Sequence, residues 1–278
     1  MKQLVVTADD FGLAREVNEA VEEAHRHGIL TAASLMAGEP WAGDAVSRAR
    51  RLPGLRVGLH LVLVEGRPVL PPERVPDLVD GQGFFRQNMV RAGVDFFFRP
   101  AVRSQLAAEI EAQFQAFAAT GLALDHVNAH KHFHLHPTIA RLMLEIGRRH
   151  GARAMRVPLE PVSILSQIEG GTPRGTGIVG PWARRLRRRL GKGGMTTPDQ
   201  VFGLAWSGAM TAPRLAGILA HLPEGLTEIY LHPATAGGFR WAAPGYRYAE
   251  ELAALTDRAV IAAAGEVQRG GFMDFAPG

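Results

Sequence analysis

The sequence contains no cysteine, which excludes disulfide bonds and metal sites built from thiolates. It also lacks any apolar run near the roughly 18 residues of a membrane-spanning helix. Met1 leads directly into the apolar residues Leu4, Val5 and Val6, without the basic stretch and apolar core of a secretory signal peptide. We therefore expect a cytoplasmic protein, with any membrane contact limited to a peripheral one at the inner face.

The composition is that of an ordinary globular protein, with 46% hydrophobic and 21% charged residues. The formal net charge is +4, and no nucleic-acid partner is expected. The length of 278 residues is close to the roughly 250 residues of a single β/α barrel, so one domain is sufficient. The chain also contains eleven histidines, several of which are clustered.

Short apolar segments alternate along the chain with segments of helical periodicity. Strands are predicted at residues 4–6, 31–37, 55–61, 123–128, 154–158, 201–206, 227–231 and 272–275. Helices are predicted at residues 15–27, 42–51, 101–119, 137–150, 214–221 and 248–264. This alternation favours a parallel sheet that is covered by helices. The predicted fold is a single distorted β/α barrel of about seven or eight parallel strands.

Residues 160–200 depart from this pattern because they are rich in glycine and carry an arginine run at residues 184–189. We interpret them as an insertion on one rim of the single domain. An arginine run is commonly a solvated helix face, and contact with anionic headgroups or phosphate is the functional alternative. Leu186 and Leu190 give the run one weak apolar edge, which leaves a membrane-surface role open.

Polar residues follow several predicted strands, where the loops of a β/α barrel form the active site. Asp9 and Asp10 follow the first strand, and adjacent carboxylates on an extended chain point in different directions. They could therefore act as metal ligand and base, although an N-cap pair for the next helix is the alternative. His60 and His232 also follow strands; taken alone, His60 is more often a structural residue, and His232 fits a buried structural histidine as well as a functional one.

The strongest signal is a run of alternating histidines after the fourth strand, namely His130, His132, His134 and His136. Imidazole is a good ligand for zinc and similar ions, and a catalytic site needs about three protein ligands and an open position. The four rings cannot all bind one ion, so some would orient the others or contact a substrate.

The chain resembles the YdjC-like carbohydrate deacetylases, a family similar to the polysaccharide deacetylases. The resemblance spans nearly the whole chain and depends on residues 7–12 (TADDFG), 34–36 (SLM), 58–61 (GLHL) with Gly66 and Pro68, 126–134 (HVNAHKHFH) and 228–233 (EIYLHP). It implies a distorted β/α barrel with one divalent metal ion and hydrolysis of an N-acetylated sugar. Zinc is favoured by the histidines, and magnesium is the alternative.

The resemblance also implies roles for single residues. Asp10, His60 and His130 match the metal ligands, Asp9 matches the catalytic base, and His232 matches the general acid. Around the site, the residues expected to bind substrate or to orient the ligands are Lys131, His132, His134 and Arg156. Family members often have Asn in place of Thr7 and Asp in place of Asn128, but neither position matches a ligand.

The form of the histidine motif and the basic insertion are most similar to the hopanoid-biosynthesis-associated deacetylases. This narrower resemblance implies a lipid-linked substrate, an N-acetylglucosaminyl hopanoid. An apolar approach to the barrel would then be needed, for which Phe84, Phe85 and the run Phe96 to Phe98 are candidates, unless they pack in the core. The alternatives are deacetylation of soluble chito-oligosaccharides, a metal-dependent phosphoesterase, and a basic membrane-binding protein without enzymatic activity.

Overall fold

A parallel β-sheet forms the centre of the computed structural model, which describes residues 1–170 and 176–276. Its strands are β1 (Lys2–Phe11), β2 (Ala32–Leu35), β3 (Arg56–Leu61), β4 (Leu124–Ala129), β5 (Gln200–Phe202), β6 (Gly225–Leu231) and β7 (Gln268–Arg269). Six of them are ordered β4-β3-β2-β1-β6-β5, and β7 pairs with the start of β1. The predicted distorted barrel of about seven or eight parallel strands is therefore confirmed, with seven strands in the described residues.

The barrel wall between β4 and β5 is irregular, and the regular strand predicted at residues 154–158 is wrong. This segment pairs with β4 through two backbone hydrogen bonds. The N–H of Val127 donates to the carbonyl oxygen of Ala154, and the N–H of Arg156 donates to the carbonyl oxygen of Val127. On its other side, the N–H of Val201 in β5 donates to the carbonyl oxygen of Leu159. These bonds connect both edges of the sheet without a full strand, because the segment makes only isolated bridges.

Ten α-helices are found in the described residues. They are α1 (Arg15–His27), α2 (Ala42–Arg50), α3 (Met89–Phe98), α4 (Pro100–Ala119), α5 (Pro137–Arg149), α6 (Val162–Glu169), α7 (Thr176–Lys192), α8 (Ala212–Ala220), α9 (Tyr248–Leu255) and α10 (Arg258–Ala264). Five predicted helices agree within two residues at each end. The sixth is split into α9 and α10 because the Asp257 side chain accepts hydrogen bonds from two backbone N–H groups and caps a new helix.

The segment at residues 160–200 is more helical than its glycine content indicated, since it holds α6 and α7. The arginine run lies in α7, where Leu186 and Leu190 are buried and most of the guanidinium groups face solvent. Arg187 is ion-paired with Asp199. Gly171 and Gly175 of the predicted insertion lie outside the described residues, and the division into one domain with a rim insertion stays a prediction.

The predicted last strand at residues 272–275 is wrong, because these residues form turns and Phe272 packs into the base of the barrel. Its completely buried ring lies in a small apolar cluster with Val5, Ala32, Ala154 and Leu226. Since side chains alternate along a strand, Val5 shares its side of β1 with Thr7 and Asp9. The interior therefore changes from apolar at the base to polar at the mouth, the end of the barrel at which the parallel strands terminate.

No helix in the described part of the chain combines the length and the apolar character that crossing a membrane requires.

Close packing inside the barrel predicts a large cost for adding one methyl group to β3. A Cβ atom on Gly58 would lie 2.5 Å from both the carbonyl oxygen and the ring of His126. We expect Gly58→Ala to lower the free energy of unfolding by about 1–3 kcal/mol, as overpacked cores do. Denaturant unfolding of the purified protein measures the change.

The matched control is Gly43→Ala in α2, where an added Cβ meets no atom within 4 Å. Since alanine is favoured in helices, this variant should be as stable as the wild type or more stable. Equal stability of both variants would contradict the close packing at Gly58.

Candidate active site

A distortion of β1 brings two carboxylates to the mouth of the barrel. The register of β1 against β2 shifts between Ala8 and Phe11, and Asp10 has a φ of 64°. Aspartate adopts this left-handed conformation more readily than most residues. Neither carboxylate caps α1, whose N-cap is Ala14, so the N-cap interpretation is wrong. Asp9 and Asp10 are both buried, and because Asp10 is not extended, the opposite directions expected on an extended chain do not apply to this pair.

The three residues predicted as ligands, Asp10, His60 and His130, converge at the mouth. The Oδ1 atom of Asp10 lies 3.2 Å from His60 Nε2 and 3.0 Å from His130 Nδ1, and the two nitrogens are 3.4 Å apart. One ligand atom from each residue lies within 4.8 Å of the other two. The residues come from the ends of β1 and β3 and from the turn after β4, so the fold assembles what the sequence separates.

The chemistry of these three atoms fits a divalent cation. His60 Nδ1 lies 2.6 Å from the Asn128 Oδ1 atom, an acceptor, so this nitrogen carries the proton and Nε2 presents a lone pair. That lone pair faces the Asp10 carboxylate and His130, where electron-rich atoms repel unless a positive charge lies between them. Burial opposes a charge on His130, but the adjacent Asp10 carboxylate raises its pKa, so this position favours a positive charge.

Asp9 lies behind this group, in an ion pair with a completely buried arginine. Arg156 donates to both carboxylate oxygens of Asp9, at 2.5 and 2.9 Å, and to Glu228 on β6 at 2.7–3.0 Å. Burial alone would raise the pKa of Asp9, but Arg156 lowers it well below its usual range. Arg156 therefore orients Asp9. Glu228 was part of a recognised motif but was not predicted as a site residue, because it lies in an otherwise apolar strand.

The four histidines of the run lie in different surroundings. Lys131 and His132 both have a left-handed φ, of 52° and 53°, and this tight turn directs His130 and His132 into the mouth. His132 Nε2 lies 2.8 Å from the Tyr230 hydroxyl, and Lys131 is ion-paired with Glu65. Of the histidine run, only His130 belongs to the group of converging ligand atoms.

The two later histidines lie away from the converging ligands. His134 is completely buried, and burial near Arg156 lowers its pKa to about 3, so its ring is neutral. His136 packs against Gly93 and the ring of Phe96 in α3. Neither lines the cavity at the mouth.

His232 follows β6 and faces the same cavity. Its backbone N–H donates to the buried Glu251 carboxylate at 2.5 Å, and its ring lies edge-on to Tyr230 and Tyr246. Burial lowers the pKa of His232, while Asp10 and Asp9 partly offset the effect. Glu251, with its pKa raised to about 7 by burial, fixes this loop. Sequence reasoning missed it because it lies inside a helical pattern.

The cavity at the mouth has a volume of about 280 Å³. Asp9, Asp10, His60, His130 and His232 line it together with an aromatic wall of Tyr230, Trp241, Tyr246 and Tyr248. Trp241 has a strained φ of 68° and is held by an edge-on contact with Phe84. Rings of this kind provide flat apolar surfaces that can pack against a sugar.

The predicted phenylalanine approach is only partly realised. Phe84, Phe85 and Phe96 are buried, whereas Phe97 and Phe98 are 50% and 71% exposed. Val90 and Val94 on the same helix, α3, are also exposed. The helix therefore presents an apolar stripe to solvent, next to the turn that carries His130.

Comparison with known proteins gives a consistent result. The model of the family described as "YdjC-like protein" matches residues 3–265. A carbohydrate deacetylase of Thermoanaerobacter pseudethanolicus is 30% identical over 84% of this chain and 82% of its own length. One of Geobacillus stearothermophilus is 30% identical over 93% and 91%. One of Brevibacillus brevis is 41% identical over a shorter region, 56% of this chain and 58% of the relative.

A solved structure shares the whole fold. The putative cellobiose-phosphate cleavage protein of Enterococcus faecalis V583 aligns with a TM-score of 0.76 at 24% identity, over 99% of both chains. An uncharacterised protein of Agrobacterium tumefaciens aligns with a TM-score of 0.51 at 11% identity. These similarities support the curled parallel-strand barrel.

The converging ligand atoms predict that His130→Ala loses metal affinity. Removing one of three ligands should weaken zinc binding by at least about 100-fold, more than the loss of a residue that only orients a ligand. Isothermal titration of the metal-free protein with zinc measures the change. The matched control is His150→Ala, which removes a histidine that is bonded to Glu111 away from the mouth. Unchanged zinc affinity in His130→Ala would move the metal site elsewhere.

Proposed function

Since this chain belongs to the YdjC-like protein family, we propose that it is a metal-dependent carbohydrate deacetylase, which hydrolyses the N-acetyl group of an amino sugar to acetate and a free amine. The proposal depends mainly on one observation, the convergence of Asp10, His60 and His130 around a position for a cation beside a second carboxylate, Asp9. The relatives of this chain that are named carbohydrate deacetylases support the same reaction class.

Asp10, His60 and His130 would hold one divalent ion, with zinc favoured over magnesium because two of the three ligands are imidazoles. When bound, such an ion supplies Lewis acidity to the acetyl carbonyl group and to the attacking water. Asn128 keeps the proton of His60 on Nδ1, which leaves Nε2 available as a ligand.

Asp9 is the proposed general base. Its carboxylate is fixed by Arg156 and by the Asn128 amide, whose Nδ2 atom donates to Asp9 Oδ1 at 3.2 Å. A carboxylate held in this way is ionised before the reaction and does not rotate. Its low pKa makes it a weak base, so its contribution lies in accepting the proton of an acidified water at a fixed place.

His232 is the proposed general acid, which protonates the leaving amine. It lines the same cavity as Asp9 and faces the negative charge of both aspartates. His132 and Tyr230, which are bonded to each other, are in position to contact the substrate. Lys131, ion-paired with Glu65 at the rim, is also assigned to substrate binding.

We assign the substrate to an N-acetylglucosamine-type sugar, linked to a hopanoid lipid. The aromatic wall of the mouth fits a sugar ring. The exposed stripe of Val90, Val94, Phe97 and Phe98 supports an apolar approach from a membrane surface. The exposed arginines of α7 would then face anionic headgroups at the cytoplasmic side.

Soluble chito-oligosaccharides are the second candidate substrate. A further cavity of about 380 Å³ shares Trp241 with the mouth and is lined by Trp41 and Phe239 as well. Two tryptophans and a phenylalanine next to the active site could hold a second sugar unit. No comparable geometry favours a phosphoesterase with two metal ions, because the described residues contain one such ligand group.

Asp9→Asn should separate metal binding from turnover. The variant keeps the three ligands, so zinc affinity should stay within a few-fold of the wild type. Without the base, kcat should fall by about 10²–10⁴-fold. Acetate release from an N-acetylated substrate measures turnover, and a melting curve records the cost of the lost ion pair. Asp44→Asn removes an ion-paired carboxylate away from the site and should leave kcat unchanged. Full activity of Asp9→Asn would exclude Asp9 as the base.

The substrate is tested by acetate release from an N-acetylglucosaminyl lipid and from soluble N-acetylated chito-oligosaccharides, each with and without a chelator. Chelator-sensitive release from the lipid alone is the expected result. Release from the oligosaccharides alone would keep the deacetylase and reject the lipid. Absence of release from both, with zinc confirmed as bound, would contradict the proposed function.

A further inference from the structure

A continuous chain of hydrogen bonds runs inside the barrel from its base to Asp10, His60 and His130, the candidate metal-ligand group. Its members are Asp125, His126, Ser34 and Asn128, which come from β2 and β4. All four are buried, with exposures of 0–4%, and none lines the cavity at the mouth. They cannot contact a substrate there, so they can affect the site only through one another.

At the base of the barrel, the Asp125 carboxylate can only accept hydrogen bonds, so it sets the donor-to-acceptor direction of this hydrogen-bond chain. Asp125 accepts the backbone N–H groups of Phe272 and Met273, both at 3.1 Å, and the Nδ1–H of His126 at 2.9 Å. Although burial opposes it, these bonds lower the pKa of Asp125, so it is ionised at neutral pH. His126 therefore carries a proton on Nδ1.

The next bonds follow from that proton. His126 Nε2 lies 2.9 Å from Ser34 Oγ and accepts the hydroxyl hydrogen, the arrangement in which that hydrogen has an acceptor. Ser34 Oγ then accepts from the Nδ2 amide group of Asn128 at 2.9 Å. The second hydrogen of this amide points to Asp9 Oδ1.

The orientation of an asparagine amide cannot be read from its shape, since its oxygen and nitrogen are nearly alike, but its neighbours decide it. With Nδ2 directed to Ser34 and Asp9, the Oδ1 atom must face His60 Nδ1. This places the His60 proton on Nδ1 and the lone pair of Nε2 toward Asp10 and His130. A flipped amide would bring an oxygen against the Asp9 carboxylate and an N–H against His60.

We propose that Ser34 and His126 are positioning residues, which hold the Asn128 amide in one orientation and so keep His60 in the tautomer that can bind a metal ion. The packing around His126 serves the same purpose. Its ring is stacked on Phe272 with centroids 4.6 Å apart, and it occupies the space left by the missing side chain of Gly58. Only the effect on turnover rests on the proposed function; the tautomer and the metal affinity do not.

The test uses the metal-free protein labelled with ¹⁵N in its histidines. Long-range ¹H–¹⁵N correlation spectra distinguish the two neutral tautomers, and His60→Gln assigns the His60 signals. The wild type should show His60 protonated on Nδ1. Ser34→Ala removes one of the two acceptors of the amide, and its His60 should populate the Nε2–H tautomer in part. Zinc affinity should fall by about 10–100-fold, the range found when a residue that orients a ligand is lost.

Two further variants make the result specific. Ser34→Thr keeps the hydroxyl group and should restore the Nδ1–H tautomer and most of the zinc affinity. Thr227→Val removes a buried strand hydroxyl that is bonded to Gln200 and not to this chain, so it should leave both readouts unchanged.

A wild-type His60 protonated on Nε2 would overturn the proposal without any variant, even if Ser34→Ala failed to fold. An Nδ1–H tautomer and wild-type zinc affinity in Ser34→Ala would also overturn it. Both readouts need no substrate. A protein that shows the tautomer change but releases no acetate would therefore disprove the proposed function and leave this inference standing.

Discussion

The arrangement of the mouth depends on one buried cation, the guanidinium group of Arg156. Its backbone belongs to the irregular wall of the barrel, whereas its side chain makes five N–H to oxygen contacts with Asp9 on β1 and Glu228 on β6. Burying charges costs several kcal/mol per ion, and only complete pairing offsets that cost. Because the pairing requires all three side chains, it fixes the position of the irregular segment against the two central strands. A regular strand at residues 154–158 is not needed for closure, since this ion pair and a few backbone bonds take its place.

The same cation explains how two adjacent aspartates acquire different roles. Along a regular strand, alternation alone would separate Asp9 from Asp10. The left-handed conformation of Asp10 instead keeps both in the lining of one cavity. Arg156 pairs with Asp9, and Asp10 is left facing two imidazole nitrogens. Two carboxylates with nothing between them would repel, and the pairing of Asp9 with Arg156 reduces that repulsion beside the candidate ligand group.

Much of the fold and of the ligand group could be predicted from the sequence, because both depend on local patterns. Apolar periodicity identified α1 to its ends, and the strand-end positions of Asp10, His60 and His130 predicted that they meet at one end of the barrel, while their choice as the ligands came from the family resemblance. What could not be predicted depends on contacts between distant segments. Glu228 and Glu251 lie within an apolar strand and a helical pattern, and only the tertiary structure shows their partners. The wall at residues 154–158 has a strand-like sequence, but its neighbours leave it only isolated bridges.

Arg156 also limits which histidine can supply a proton. A positive charge in a buried site disfavours a second one nearby. Burial and Arg156 lower the pKa of His134 to about 3, and the same two causes lower the pKa of His132 well below its usual value. Neither ring can therefore act as an acid at neutral pH. His232 is also buried, but the largest charges that face it are those of Asp10 and Asp9, which favour its protonated form. Among these three rings, only His232 has the two aspartates as its strongest charged neighbours, and this difference supports His232 rather than His132 or His134 as the proposed acid.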